Sequence, residues 1–210
     1  VQVLDIADLL LRAAKRQSAN ELQVGGNLVA AVRRFIDQMG QYEKGHSDGR
    51  LWGDSGWYSH LSDFVRYAVL LLHGGVYLDL DAPLLKRVPG DARPHGTGAS
   101  RIAFVGAEAD AHTDFTNRTQ LNGAVLGSTS GHPWIYDLFS RAIAKYVTAS
   151  TFDWKDKEAP NTRGNFGLVG PQLLTNVTLS ERWRGVVTIL PASAFQPLAY
   201  WWYWHCWRNG

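Results

Sequence analysis

The stretch Leu61–Leu85, LSDFVRYAVLLLHGGVYLDLDAPLL, decides how this chain is read. Its first part spaces apolar residues for a helix. Ser62 reads as the N-cap, which would put Asp63 in the first turn, where the helix dipole favours negative charge. His73 sits where a helix-end residue faces the last carbonyls, and Gly74 and Gly75 supply the stop. The next five residues, VYLDL, read as a strand. Residues two apart on a strand share a face, so Asp79 and Asp81 project together, roughly 6–7 Å apart. At that separation two carboxylates repel by about 2.5 kcal/mol at an effective dielectric of about 20. Apolar neighbours add a desolvation cost. A divalent cation reverses the sign, and oxygen ligands suit Mn2+ or Mg2+. Two aspartates reaching water at a strand end give the same short pattern. On the preceding helix, Asp63, Arg66 and Tyr67 stand three and four residues apart and share a face.

The rest of the chain reads as alternating helices and strands. Residues 1–16 read as a short strand running into a helix. Within residues 27–44, Leu28, Val32, Phe35, Ile36 and Met39 have helical spacing. Residues 43–59 are rich in Gly, Ser and Asp and read as loop, as do 88–100 and roughly 150–166. RIAFVGA (101–107), LNGAVLGS (121–128) and GVVTIL (185–190) read as strands. HPWIYDLFSRAIAKYV (132–147) reads as a helix with Pro133 in its first turn, and GPQLLTNVTL (170–179) starts another. This order predicts an α/β fold with a mixed sheet.

The chain has 210 residues, enough for one domain burying about 70% of its unfolded surface without staples. The net charge of +2 comes with scattered basic residues, which argues against a nucleic-acid stripe. The lone Cys206 leaves no internal disulfide and has no base pattern beside it, so it reads as packing. No apolar run is long enough to cross a bilayer, and no signal peptide opens the chain. His132 reads as structural. His205 is different, because it stands among the tryptophans 201, 202, 204 and 207, where polar residues are sparse. Two glycosylation sequons, at Asn117 and Asn176, match the number chance allows.

SDFVRYAVLLLHGGVYLDLD resembles the signature of the DXD-motif sugar transferases (glycosyltransferase family 32-like). These include α1,4-galactosyl- and α1,4-N-acetylglucosaminyltransferases, related α1,6-mannosyltransferases and, more distantly, glucosylating bacterial toxins. LNGAVLGSTSGHPWIYDLF, GLVGPQLLT, ILPASAFQPL and HCWRNG resemble further segments of that family, with GLVGPQLLT most like the α1,4 branch. The resemblance covers roughly residues 50–210.

The resemblance implies a GT-A type single α/β domain over 1–210, with a mixed central sheet and flanking helices. Its N-terminal strand is expected to be missing and both ends partial. It implies a metal-dependent, retaining transfer of a hexosyl group from a nucleotide-sugar to a glycan or glycolipid hydroxyl. UDP-galactose or UDP-N-acetylglucosamine is the expected donor, with GDP-mannose the alternative. By the same resemblance Asp81 ligates Mn2+ (or Mg2+). Asp79 assists at the metal or binds ribose and sugar hydroxyls. Asp63 and Arg66 hold the donor sugar, and Asn122 lies near its transferring carbon. Tyr67 and Tyr77 belong with the donor contacts, His205 completes the metal or diphosphate site, and Trp207 covers the nucleotide. Family habit implies a type II membrane protein of the Golgi lumen, anchored upstream. Two rivals stay open: an aspartyl-nucleophile phosphatase, disfavoured by Pro83, and a non-catalytic sugar-nucleotide-binding module.

Overall fold

A computed structural model describes residues 5–18, 28–37, 55–79, 102–108, 120–148 and 169–195. Its elements are helix α1 (Ile6–Ser18), helix α2 (28–37), helix α3 (Ser55–His73), strands β1 (Gly75–Leu78), β2 (Ala103–Ala107) and β3 (Leu121–Ser128), helices α4 (Pro133–Thr148) and α5 (Pro171–Thr178), strand β4 (Thr188–Leu190) and the short helix α6 (Ala192–Phe195). The four strands make one mixed sheet in the order β1-β3-β2-β4. β3 is antiparallel to both β1 and β2, and β4 is parallel to β2. The α/β expectation with a mixed sheet and flanking helices holds.

One face of the sheet carries the main core. Along α3 the residues Phe64, Tyr67, Ala68 and Leu71 recur at helical spacing and are buried. They meet Leu9, Leu10, Ala13 and Ala14 of α1, Val32 and Phe35 of α2, and Trp134, Leu138 and Phe139 of α4. The Phe35 and Phe64 ring centroids lie 4.3 Å apart. Asp5 caps α1, its Oδ1 accepting the Ala7 amide at 2.9 Å. The opposite face holds a smaller cluster of Phe104, Val125 and Leu190, and the Phe195 ring of α6 stacks on Phe104 at 6.3 Å.

α3 ends as the glycine pair requires. Gly74 has φ 68°, and its amide donates to the Leu70 carbonyl at 2.9 Å. A Cβ there would stand 2.5 Å from the Ser130 amide nitrogen. The chain therefore reverses directly from helix into strand, and α3 runs back alongside β1.

Two local expectations need correction. Residues 55–59 are helical rather than loop, because α3 begins at Ser55. Ser62 is consequently not a cap, and Asp63 is not in the first turn. Both lie inside the helix, and Ser62 turns its hydroxyl to Arg66 instead. The short strand expected before α1 would fall on residues 1–4, and these, the loops at 88–100 and 150–166, and the sequon at Asn117 lie outside the described residues.

Candidate active site

β1, β2 and β4 all run one way, so their carboxyl ends share one edge of the sheet, and β3 starts there. Ligands of open α/β sheets bind outside that edge. Asp79 follows the last residue of β1, Glu108 follows β2, and Asn122 is the second residue of β3. The reversal at Gly74 brings α3 to the same edge. Seven residues of helix back from His73 span about 10 Å. Four residues of strand from Gly75 to Asp79 span about 13 Å. Arg66 and Asp79 therefore arrive at nearly the same height.

Arg66 is the centre of the site. Its Nη2 lies 3.2 Å from Asp63 Oδ1 and 3.4 Å from Asp79 Oδ1. The same nitrogen donates to Ser62 Oγ at 2.8 Å, and Nε donates to the Ser62 carbonyl at 3.4 Å. Nη1 donates to the Gly123 carbonyl of β3. The guanidinium also lies 5.0 Å from the centre of the Tyr77 ring. Tyr77 in turn donates its hydroxyl to Asp79 Oδ1 at 2.7 Å. One planar fork is thus shared by two carboxylates on different elements.

Burial sets the electrostatics. The Asp63 and Arg66 side chains are each 7% exposed, whereas that of Asp79 is 29% exposed. Desolvation pushes Asp63 up to about 6, against the pull of Arg66 and with a push from Asp79. Burial opposes the charge on Arg66, but Asp63 and Asp79 outweigh it and hold the guanidinium above its ordinary value. Tyr77 is pushed up to about 12, chiefly by burial, so its hydroxyl stays a donor.

The other expected residues fall into three groups. Asn122 reaches the site edge, where its Oδ1 accepts the Ala124 amide at 2.7 Å. Tyr67 lies behind the cluster. It is 1% exposed and donates its hydroxyl to the Val169 carbonyl at 3.0 Å, so it faces the core. Asp81, His205 and Trp207 lie outside the described residues. His132 is buried at the start of α4, its Nδ1 accepting the Trp134 amide at 3.1 Å. Among the described residues no three His, Cys, Asp or Glu side chains gather around a common point. Asp79 still has the right chemistry for a hard cation: a partly exposed, oxygen-only ligand at the sheet edge.

Three participants were not anticipated. Ser62 and the Gly123 carbonyl both hold Arg66. The Asn-Gly pair inside a strand pattern was the available signal, since it marks a turn or bulge. Glu108 stands at the same edge, its amide donating to the Gln120 carbonyl at 2.8 Å. Burial pushes its carboxyl up to about 7, with a hydrogen bond from Gln120 acting the other way.

The segment that carries this cluster matches a known family model. Residues 30–98 match the glycosyltransferase sugar-binding region containing a DXD motif. Over that third of its length the chain is similar to the DXD-motif glycosyltransferases. The matched region holds the Asp63–Arg66–Tyr77–Asp79 cluster and Asp81. Among curated relatives, the chain is 33% identical over 90 residues to "Putative glycosyltransferase HOC1" of Saccharomyces cerevisiae, covering 39% of this chain and 22% of that protein. It is 27% identical over 162 residues to the initiation-specific alpha-1,6-mannosyltransferase of Schizosaccharomyces pombe, covering 65% of this chain and 40% of the relative. It is 37% identical over 93 residues to the uncharacterized glycosyltransferase L373 of Acanthamoeba polyphaga mimivirus, covering 44% and 33%. The chain thus spans well under two thirds of each relative's length. No solved structure matches it at comparable significance. Among the described residues no helix is long and apolar enough to cross a membrane.

Proposed function

We propose that residues 1–210 form the catalytic domain of a retaining glycosyltransferase that moves a hexosyl group from a nucleotide-sugar to a glycan or glycolipid hydroxyl. The observation that carries the reading is the buried Arg66 fork, shared by Asp63 and Asp79 at the carboxyl edge of the sheet. A desolvated guanidinium in a fixed plane suits the hydroxyls of a sugar or the oxygens of its diphosphate. Asp63, ionised above about pH 6, accepts hydroxyl hydrogens of the donor sugar. The Tyr77 hydroxyl orients the Asp79 carboxylate. Asp79 and Asp81, with His205, would hold Mn2+ or Mg2+, which when bound neutralises the charge that gathers on a diphosphate leaving group. Trp207 would cover the nucleotide.

The donor is the finer part of the reading. The resemblance of GLVGPQLLT favours a UDP-hexose. The likeness to the S. pombe mannosyltransferase supports GDP-mannose at least as well. The expected setting is the Golgi lumen, with an anchor outside this sequence. Calorimetric titration of UDP and of GDP, first with Mn2+ and then with EDTA, tests the reading. One nucleotide should bind with Mn2+ and lose at least about tenfold in affinity with EDTA, the scale of one lost charge-assisted contact. Equal binding of both nucleotides in EDTA would sink the metal site. Tight, metal-dependent binding without turnover in the full-length protein would favour a non-catalytic binding module.

A further inference from the structure

We propose that Asn122 is a positioning residue whose carboxamide holds a bulge in β3, and that the Gly123 carbonyl in this bulge sets the plane of the Arg66 guanidinium. The consequence for transfer rests on the function proposed for Arg66; the geometry does not.

The register shows the bulge. Neighbours Val105 and Gly106 of β2 face Leu126 and Asn122 of β3, so Gly123, Ala124 and Val125 have no β2 partner. A bulge leaves ladder groups that need other acceptors. Here the Ala124 amide donates to Asn122 Oδ1 at 2.7 Å, closing a turn through the side chain. The Ala124 carbonyl accepts the Asp79 amide at 2.9 Å. Ala124 therefore ties the bulge both to Asn122 and to the end of β1. Between them, the Gly123 carbonyl is turned onto Arg66 Nη1. A Cβ at position 123 would stand 2.5 Å from that nitrogen, so the close approach needs glycine.

The bulge matters because of what the other partners leave undecided. Ser62 and Asp63 belong to the turn of α3 that carries Arg66, so they fix the head only relative to its own helix. Asp79 follows β1 and is partly exposed. The Gly123 carbonyl is a neutral, buried acceptor from the middle of the sheet, and it fixes the fork relative to the edge where a ligand would lie. In this arrangement the part of Asn122 that matters is its oxygen. A role in touching the donor sugar would instead fall to its amide nitrogen or to the second lone pair of that oxygen.

The difference separates the variants. The readout is proton exchange at the arginine Nη–H groups, Nη1 being the donor to Gly123, followed by NMR in isotopically labelled protein without metal or nucleotide. Arg66→Lys identifies the Arg66 signal. Asn122→Ala should speed its exchange about tenfold, the scale of one lost buried hydrogen bond. Asn122→Asp keeps the oxygen and should stay within about twofold of the parent. Gly123→Ala should displace the same signal with Asn122 intact, and it carries the test if Asn122→Ala does not fold. An unmoved signal in Asn122→Ala or Gly123→Ala overturns the proposal. So does an Asn122→Asp variant that behaves like Asn122→Ala. Because no ligand is present, a chain that binds no nucleotide refutes the proposed function and still tests this inference.

Discussion

Helices α3 and α4 each carry a partly or fully buried Asp–Arg pair, and the two pairs do opposite things. On α4, Asp137 Oδ1 meets Arg141 Nε at 2.6 Å, and Oδ2 accepts the Trp183 indole N–H at 2.8 Å. The Arg141 side chain is 57% exposed, so water solvates the cation. Each carboxylate oxygen has a fixed partner, and the result is a clamp fastening the turn before β4 onto α4. On α3, Arg66 is buried and serves two carboxylates at once. Asp63 is left desolvated enough to titrate near 6. The spacing along the helix is similar in the two pairs. Depth and the arrival of a third group, Asp79, make one a fastening and the other a candidate site.

The comparison breaks most sharply at Arg66. Arg66→Met should lower stability by about 3–5 kcal/mol in urea unfolding, because it leaves Asp63 buried without its cation. A loss below about 1 kcal/mol would make Arg66 no more than another surface pair.

Acid tests the other partner. At pH 5 an unfolded aspartate, with its ordinary value of 3.8, is ionised, while buried Asp63 still holds a proton. The native state then binds more protons, so stability falls as pH rises from 4 to 6. Asp63→Asn should remove a fall on the order of 2 kcal/mol across that window, measured by urea unfolding at each pH. Glu108 acts in the same direction, from its ordinary 4.5 to about 7, so the slope above pH 6 should remain. An unchanged slope below pH 6 in Asp63→Asn would mean that Asp63 is ionised in the folded protein throughout.

Asp137→Asn keeps a hydrogen-bonding oxygen and should cost only about 1 kcal/mol, with nucleotide binding unchanged by calorimetry. A loss of binding there would tie the α4 clamp to the site. The smallest effect belongs to α1. Arg12 Nε lies 2.9 Å from Asp8, but both side chains are about half exposed. Arg12→Ala should therefore shift stability by less than about 0.5 kcal/mol in the same urea assay.

Much of the site was legible because its signals are local. The glycine pair announced the helix stop, and Gly74 at φ 68° bears it out. The spacing of Asp63, Arg66 and Tyr67 announced one helix face, although Tyr67 turned to the core and Asp63 to Arg66. The start of α3 was misread because Gly, Ser and Asp around residue 55 look like loop, whereas the helix continues through that composition back to Ser55. The role of Asn122 was read through resemblance as a contact to the sugar. Its link to the Ala124 amide is a local bond, yet it arises only where β3 departs from its β2 partner.

The sequence by itself determined the order of helices and strands, the reversal at Gly74-Gly75 and the likeness of residues 30–98 to a DXD-motif sugar-binding region. These follow from hydrophobic period, glycine stereochemistry and a motif written in consecutive residues. Only the tertiary structure decided that Arg66 would be shared between Asp63 and Asp79, and that the Gly123 carbonyl would hold its far side. The rise of a helix and the rise of a strand bring Arg66 and Asp79 level across the turn. Gly123, 57 residues beyond Arg66, reaches it only because β3 pairs beside β1 and bulges there. Burial then converts that meeting of groups into an electrostatic site, and burial is a property of the packed chain rather than of any segment in it.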